Sequence, residues 1–277
     1  METKVEKTYK RIGNRELKID IFTPNVNEHT QTAIILLHGG GWQHGDKSMM
    51  SLFGPELARY GFVAFAPEYR LLGESPWPAQ IEDVKSAIRW VRANAAEWNI
   101  NPDKIAVEGF SAGGHLALMA GGTPHDREYK GNDNTSVSDA VSAVIAFFPP
   151  AEFTVAEPLP GNIEAQVLLG DDPNEHQARR ISPIHLISKD FPPTFLLHGT
   201  ADKMVPHVTS MRLYSELERY GVPVEMHLYP GHTHEFVRLP SMMAVTQMEI
   251  ALFLKRMVVE PEKYYNENME LNQFARM

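Results

Sequence analysis

The chain contains 277 residues, of which 43% are hydrophobic and 22% are charged, so a sizeable globular core is available and wholesale disorder is disfavoured. Its formal net charge is −9 at pH 7 and it contains no basic run, which argues against nucleic acid as a partner. The absence of cysteine excludes disulfides, thiolate zinc sites and cysteine nucleophiles.

The first predicted element is a half-exposed antiparallel strand at 16–22, where polar and apolar residues alternate. Continuous apolar runs at 33–37 and 62–66 predict strands that are buried on both faces, as in a parallel sheet. Between these two runs, residues 48–60 predict a helix that ends before Gly61. The N-terminal part of the chain therefore indicates a covered, mainly parallel sheet.

Farther along the chain, apolar positions that step by three and four predict an amphipathic helix over 80–98. A strand at 104–108 then leads into a glycine-rich turn and a helix-compatible run at 115–121. The remaining predicted elements are strands at 141–148, 194–198 and 222–229 and helices near 207–220 and 241–257.

This alternation of strands and helices predicts an α/β fold, with a doubly wound, mostly parallel sheet flanked by helices. We expect residues 1–277 to form a single domain, with catalytic loops at the carboxyl ends of the strands. The proline-rich segment 149–190 predicts a small lid or substrate-loop insertion. The polar tail at 259–277 is expected to form a short helix or to fray.

A predicted strand and a predicted helix flank Gly109-Phe110-Ser111-Ala112-Gly113, which fits the pattern G-x-S-x-G. Small flanking residues permit a strained turn that lifts a serine oxygen clear of the backbone. The N–H of Ala112, at the start of the helix, can then donate to an oxyanion. The pattern predicts Ser111 as a nucleophile, and a chance glycine-serine turn is the alternative.

Three glycines follow the second predicted strand directly, in His38-Gly39-Gly40-Gly41-Trp42. Glycine lets the backbone approach a substrate oxygen closely with its N–H groups exposed. We expect Gly40 and Gly41 to be further oxyanion donors, and a flexible turn is the alternative. His38 is expected to brace this loop, whereas Trp42 either packs in the core or lines an acyl pocket.

A serine hydroxyl needs a base within hydrogen-bond reach and a carboxylate that orients the base. Asp202 lies just beyond a predicted buried strand, and His232 and His234 lie in the loop after the next strand. We favour Asp202 as the acid, and both His232 and His234 are candidates for the base. The rivals for the acid are Asp171 and Asp172, which lie in the insertion with no strand before them.

Other histidines receive a different interpretation. His115 is expected to pack on the helix that follows the serine, and together with Trp42 it is a candidate for substrate binding. His198 is expected to be a hydrogen-bonded residue at a strand end. His232 and His234 are two possible ligands on one loop without an acidic or cysteine partner, so no metal and no cofactor are expected.

Four segments together resemble the hormone-sensitive-lipase-like and acetyl-xylan/feruloyl-esterase-like branch of the α/β hydrolases. They are HGGGWQHGDK (38–47), the stretch 76–117 that contains GFSAGGHLA, LLHGTADKMVP (196–206) and YPGHTHEF (229–236). The similarity spans residues 15–258. It is specific for the fold and the catalytic apparatus, and less so for the substrate.

The resemblance implies an eight-stranded α/β-hydrolase sheet and hydrolysis of carboxylic esters through an acyl-enzyme. It implies that Gly40, Gly41 and Ala112 donate to the oxyanion, and that Trp42 and the 149–190 insertion shape the pocket. Relatives in this branch often remove acetyl or hydroxycinnamoyl groups from plant polysaccharides, and others cleave small acyl esters.

The resemblance also bears on the choice of base. His234 is followed by Glu235 and Phe236, which is similar to the His-small-Phe run that opens the last helix in this superfamily, so it favours His234 over His232. Glu235 departs from the commoner small residue. Phe110 departs as well, because many relatives have His, Asp or Glu between the glycine and the serine.

Two other functions stay open at this point. The same site chemistry serves an amide hydrolase, such as an arylformamidase or a small exopeptidase. A ligand-binding protein that keeps the fold without catalysis is the non-enzymatic alternative, although all three triad positions are filled here. The expected partner is a small-molecule or carbohydrate ester, and the sequence does not predict an oligomeric state.

The cellular location is predicted from the first residues. Residues 1–22 contain neither an apolar signal-peptide core nor a small-residue cleavage site, and no apolar run reaches the roughly 18 residues that span a bilayer. From the chain as it stands we expect no membrane association and a cytoplasmic location. A secreted or periplasmic location applies if a signal peptide has been removed.

Overall fold

An eight-stranded sheet lies at the centre of the protein, as shown by a computed structural model that describes residues 3–25, 29–156 and 161–274. Its strand order is β1-β2-β4-β3-β5-β6-β9-β10, and β7 and β8 form a separate two-stranded pair. In chain order the strands are β1 (Thr3–Ile12), β2 (Arg15–Thr23), β3 (Ala33–Leu37), β4 (Val63–Pro67), β5 (Ile105–Phe110), β6 (Ala143–Phe147), β7 (Phe153–Thr154), β8 (Ile163–Glu164), β9 (Thr194–Gly199) and β10 (Val224–Tyr229).

One strand of the eight, β2, runs opposite to the others. β1 and β2 form an antiparallel hairpin, and β2 is also antiparallel to β4. Every pairing from β4 through β3, β5, β6 and β9 to β10 is parallel. Parallel neighbours require crossover connections, and helices supply them here. The predicted doubly wound, mostly parallel sheet is therefore confirmed.

Helices cover both faces of the sheet. They are α1 (Phe53–Arg59), α2 (Ala79–Ala93), α3 (Ala112–Gly122), α4 (Gln166–Leu169), α5 (Glu175–Arg180), α6 (Val208–Arg219), α7 (Pro240–Leu254) and α8 (Pro261–Phe274). Apolar residues of α2, α3 and α6 form one core cluster, and those of α1 and α7 form another. Along β3, Ile35 and Leu37 belong to the first cluster, whereas Ile34 and Leu36 belong to the second. Successive strand residues point to opposite faces, so an all-apolar strand serves both cores.

The structure corrects several predicted boundaries. The helix predicted over 48–60 is divided into a 3-10 turn at Lys47–Met50 and α1. The helix predicted over 80–98 ends at Ala93 and is followed by a 3-10 turn at Ala95–Trp98. β1 was not recognised in the sequence, because most of its side chains are at least partly exposed and no apolar run marks it.

The 149–190 insertion contains the β7–β8 pair, α4, α5 and a 3-10 turn at Pro183–His185. Its residues 157–160 lie outside the described residues. Leu168, Ala178 and Ile181 are buried against the first core cluster, so the insertion packs on the body of the protein. In the tail, α8 extends to residue 274, and residues 275–277 lie outside the described part. No helix within the described ranges is both long enough and apolar enough to cross a membrane.

A buried carboxyl group lies on β5 three residues before Ser111. The Glu108 side chain is fully buried, and its Oε1 accepts a hydrogen bond of 3.3 Å from Gln247 Nε2 of α7. Burial raises the pKa of Glu108 to about 8, and the bond from Gln247 opposes that shift only in part. Glu108 therefore keeps its proton in the folded protein at neutral pH.

The buried proton predicts a pH-dependent stability. Between the usual pKa of 4.5 and the folded value of about 8, the unfolded chain releases this proton while the folded chain retains it. Glu108 therefore lowers the free energy of unfolding as pH rises through that window, and its contribution is constant above it. Glu108→Gln copies the neutral form, so its stability relative to the wild type should rise by roughly 2–4 kcal/mol between about pH 5 and about pH 8. Urea denaturation of both proteins at the two pH values measures this, and an equal difference at both would contradict it.

Candidate active site

Ser111 occupies a sharp turn between β5 and α3. Its φ of 53° and ψ of −116° are unusual for a residue with a side chain. A Cβ at Gly109 would lie 2.0 Å from the Gly113 carbonyl oxygen, and one at Gly113 would lie 2.2 Å from the Leu37 carbonyl oxygen. No side chain fits either position, which explains both glycines of the G-x-S-x-G pattern. The Ser111 N–H donates to Phe147 O at 2.9 Å, which ties the turn to the neighbouring strand.

The three side chains predicted as a triad lie in one hydrogen-bonded row. Ser111 Oγ lies 3.0 Å from His234 Nε2, and His234 Nδ1 lies 2.6 Å from Asp202 Oδ2. With the proton on Nδ1 donated to the carboxylate, Nε2 is free to accept the serine proton. The structure therefore brings together residues that are 123 and 32 positions apart in the chain, and their catalytic roles stay predictions.

The sheet topology produces this convergence. Ser111 follows β5, Asp202 follows β9 and His234 lies in the loop after β10, so all three lie at carboxyl ends of parallel strands. The rival base His232 lies 3.2 Å from Pro230 O through Nδ1. It packs edge-on against the Tyr229 ring and, among the described residues, makes no hydrogen bond with Ser111.

The rival acids lie elsewhere. Asp171 and Asp172 are exposed just after α4, in the insertion. Asp202, by contrast, has a fully buried side chain next to His234. The geometry therefore favours Asp202 and His234 over all three alternatives that the sequence left open.

Asp202 is surrounded by hydrogen-bond donors. Its Oδ1 accepts from the backbone N–H groups of Met204 at 2.8 Å and Val205 at 3.0 Å, and its Oδ2 lies 3.2 Å from His198 Nε2. Burial opposes a charge on Asp202, but the hydrogen bonds from His198, His234 and the Val205 N–H outweigh it and hold the pKa well below its usual range. The group is therefore a carboxylate at neutral pH, as an orienting acid must be.

His198 is the site residue whose role the sequence did not predict in full. Its Nε2 also lies 2.8 Å from Val205 O, so this nitrogen faces two acceptors and must carry the proton. Its Nδ1 lies 2.8 Å from Ser210 Oγ, whose hydroxyl can donate to it. His198 was expected to be hydrogen-bonded at a strand end, which the structure shows. The hydrogen bond from His198 to Asp202 was not predicted, and the short spacing of four residues between them was the sequence feature that indicated it.

The glycine loop lies directly against the serine turn. A Cβ at Gly39 would lie 3.4 Å from Ser111 Cβ and 3.0 Å from Phe110 O. Gly40 and Gly41 both have positive φ values, of 115° and 60°. Their N–H groups, together with that of Ala112 at the start of α3, remain the predicted oxyanion donors.

His38 braces this loop as predicted. Its Nδ1 lies 2.7 Å from Gly39 O, and its ring stacks on Tyr69 with centroids 4.3 Å apart. The Tyr69 hydroxyl in turn donates to His38 O at 2.8 Å. Burial lowers the pKa of His38, so the ring is held as a neutral group.

The structure does not support the prediction that Trp42 and His115 contact substrate. Trp42 is 3% exposed and His115 is fully buried. The Trp42 Nε1–H points to His115 Nδ1 at 3.3 Å, and His115 Nε2 lies 2.8 Å from Ile181 O in the insertion. Burial lowers the pKa of His115 to about 4, although the hydrogen bond to Ile181 O opposes this shift. A neutral imidazole therefore bridges the Trp42 N–H and the Ile181 carbonyl. These contacts link the glycine loop, α3 and the insertion, which is a packing role.

A partly enclosed cavity of about 140 Å³ opens beside Ser111. Its lining is mainly methionine and aromatic side chains. The lining residues are Gly39, Met49, Met50, Leu52, Phe53, Phe110, Ser111, Phe148, Glu235, Val237, Arg238 and Met243. The Met49–Phe53 stretch was not predicted to lie here, because only the tertiary fold brings it over the serine.

A larger cleft of about 560 Å³ lies elsewhere, between β1 and the loop at residues 131–133. Its charged groups neutralise one another, with Lys10 and Arg70 both paired to the buried Asp83 at 2.8 and 2.7 Å. Across the described ranges, no cluster of three or more His, Asp or Glu side chains has the arrangement of a metal site.

Curated proteins are similar to this chain in sequence. The probable carboxylic ester hydrolase LipM of Mycobacterium tuberculosis is 32% identical over 251 residues, which cover 85% of this chain and 57% of LipM. The chain thus spans less than two-thirds of the length of the curated relatives that it matches first.

Solved structures match over nearly their whole length. A truncated carbohydrate esterase from gut microbiota has a TM-score of 0.77 and 31% identity, covering 90% of this chain and 96% of that one. The esterase Est2 of Thermogutta terrifontis has a TM-score of 0.80 and 30% identity, covering 93% and 94%. Est2 has also been solved phosphonylated by cyclosarin and phosphorylated by paraoxon.

The family model described as BD-FAE matches residues 19–217, which is more than half of the chain. This region contains part of β2, all of β3 to β9, the glycine loop, Ser111 and Asp202. The resemblance stated from the sequence is thereby confirmed at the level of family and fold. The chain belongs to the BD-FAE family, among the esterases of the α/β-hydrolase type.

Proposed function

We propose that this chain is a serine carboxylesterase that cleaves short acyl esters through a covalent acyl-enzyme. The observation that carries the proposal is the row Ser111–His234–Asp202, with contacts of 3.0 and 2.6 Å, at the edge of an apolar cavity. A carboxylate, an imidazole and a serine in this order form a nucleophile activated by a base.

The proposed reaction has two matched halves. His234 Nε2 takes the proton of Ser111 as Oγ attacks the ester carbonyl carbon, and the resulting oxyanion accepts hydrogen bonds from the N–H groups of Gly40, Gly41 and Ala112. When the C–O bond to the alcohol breaks, His234 returns the proton to the alcohol oxygen. A water molecule then attacks the acyl-serine with His234 again as base, which releases the acid and restores Ser111.

The relatives support ester hydrolysis as the type of reaction. LipM is named a probable carboxylic ester hydrolase and Est2 an esterase. The organophosphate adducts of Est2 are what an activated nucleophile forms with such reagents. By analogy we propose that Ser111 is the group that reacts in this chain.

The alcohol partner is the less constrained half of the substrate. A carbohydrate ester is one candidate, since a carbohydrate esterase is among the similar structures. Acetylated xylan-type sugars and feruloyl esters are the specific cases we propose to test. The complete triad argues against the ligand-binding alternative, because each of its three side chains is present and hydrogen-bonded.

A substrate panel tests the proposal. Purified protein would be assayed with p-nitrophenyl acetate and butyrate, acetylated xylan oligomers, methyl ferulate, N-formylkynurenine and alanine p-nitroanilide, with Ser111→Ala as the blank. We expect the p-nitrophenyl esters to be cleaved with higher kcat/KM than either amide. A preference for N-formylkynurenine or for the anilide would replace the esterase by an amide hydrolase, and the absence of any turnover would reject both.

A further inference from the structure

An apolar cavity and a more polar open groove lie next to the row formed by Ser111, His234 and Asp202. The 140 Å³ cavity is lined by Ser111 and by eight apolar side chains, which are Met49, Met50, Leu52, Phe53, Phe110, Phe148, Val237 and Met243. A more open groove of about 400 Å³ runs along residues 230–239 and is lined by His234. Its polar members also include His232, Thr233, Glu235 and Arg238, so its surface is more polar than that of the cavity.

The chemistry of ester cleavage separates the two halves of a substrate between these depressions. The acyl group becomes bonded to Ser111 Oγ, so it lies where Ser111 forms part of the wall. The alcohol oxygen receives its proton from His234, so the leaving group lies against the His234 side. This step rests on the proposed function.

We infer that the cavity is the acyl site and that it selects apolar acyl groups larger than acetyl, up to about the size of a benzene ring. Its volume of about 140 Å³ is close to that of apolar protein cavities of about 150 Å³ that bind benzene. A methyl group alone leaves most of such a cavity without contacts. Each further buried methylene gains about a fourfold preference from its transfer out of water.

The lining also excludes polar acyl groups and sugar rings from this cavity. Hydroxyl groups placed among Phe53, Phe110 and Phe148 would lose their hydrogen bonds to water without replacement. A sugar in the substrate must therefore lie outside, on the groove side. Flexible methionines such as Met49 and Met243 let the wall adapt to branched or aromatic groups.

Charged groups set the outer limit of the cavity. Glu235 and Arg238 belong to its lining and pair with each other at 3.4 Å, with 48% and 54% of their side chains exposed. Glu235 follows His234 directly and has a positive φ of 57°, which is unusual for a residue with a side chain. A long alkyl chain that outgrows the apolar part meets this ion pair, so the preference should fall again for long acyl groups.

The experiment measures a series of acyl chain lengths on the wild-type protein. It then replaces the cavity residue Met243 once by a smaller and once by a larger side chain. For p-nitrophenyl acetate, butyrate, hexanoate, benzoate and dodecanoate, we expect kcat/KM to rise at least about tenfold from acetate to hexanoate and to fall for dodecanoate. Met243→Ala widens the cavity and should raise the benzoate-to-acetate ratio. Met243→Trp narrows it and should lower the hexanoate-to-acetate ratio at least about fivefold.

Met248 provides the matched control, because it lies on the same helix with 45% of its surface exposed and outside the cavity lining. Met248→Ala and Met248→Trp should leave both ratios unchanged. A wild-type protein that cleaves acetate as well as hexanoate overturns the inference without any variant, and so do ratios that are insensitive to Met243. Either result leaves the esterase proposal in place, whereas that proposal is rejected if no ester in the series is cleaved.

Discussion

Replacing His234 with alanine is expected to lower kcat for p-nitrophenyl butyrate on the order of 10⁶-fold, the size of effect that loss of the base has in serine hydrolases. The reason is geometric, because His234 Nε2, 3.0 Å away, is positioned to accept the proton of the Ser111 hydroxyl. Without it the hydroxyl must attack as a neutral alcohol. Steady-state kinetics on purified protein, with circular dichroism to confirm folding, measure the effect.

His232→Ala is the matched control for this prediction. The two histidines are two residues apart on one loop, but His232 contacts Pro230 O and the Tyr229 ring instead of the catalytic row. We expect its loss to change kcat by less than about tenfold. If His232→Ala were the severely impaired variant and His234→Ala were not, the base would be wrongly assigned.

Replacing Asp202 with asparagine is expected to lower kcat by about 10⁴-fold while the fold is retained. The Asn Oδ1 can still accept the N–H groups of Met204 and Val205, which places its NH₂ group where Oδ2 now lies. That group would face two donors, His198 Nε2–H and His234 Nδ1–H. To bond it, His234 must accept at Nδ1 and carry its proton on Nε2, where it can no longer take the proton of Ser111.

Asp171→Asn is the control for the acid, because this exposed carboxylate lies in the insertion and was the rival in the sequence. It should leave kcat within about twofold of the wild type. A pH–rate profile of Asp202→Asn adds a second readout. An impairment confined to KM, with kcat unchanged, would contradict an orienting role for Asp202.

The sequence predicted the interior strands well because burial on both faces leaves a direct trace in composition. The structure has β3 at the predicted residues 33–37 and β9 at Thr194–Gly199, one residue longer than predicted. β1 left no such trace, since an edge strand with exposed, charged side chains resembles any polar segment. Hydrophobic periodicity in a sequence indicates burial, so it does not predict strands whose side chains are mostly exposed.

The candidate triad was predictable for a related reason. Ser111 is marked by glycines that no other residue can replace, and Asp202 and His234 each follow a buried strand. The position of a residue at the carboxyl end of a parallel strand implies proximity to the others. Sheet topology alone therefore predicts that the three residues converge, without knowledge of side-chain contacts.

Side-chain contacts were the part that the sequence could not supply. Trp42 and His115 were expected near substrate, but each finds its hydrogen-bond partner inside the core. The bond from His198 to Asp202 and the methionine wall that includes Met49 depend on how distant segments pack. Such contacts are fixed by tertiary structure, and local patterns of residue type do not encode them.

The central claim is that Ser111 is a nucleophile activated by His234, and covalent labelling tests it most directly. A fluorophosphonate should add one phosphonyl group per chain, located by peptide mass spectrometry on Ser111, and His234→Ala should slow the labelling by several orders of magnitude. Ser111→Ala should take up no label. Labelling of another residue at the same rate, or equal labelling of Ser111→Ala, would contradict the account.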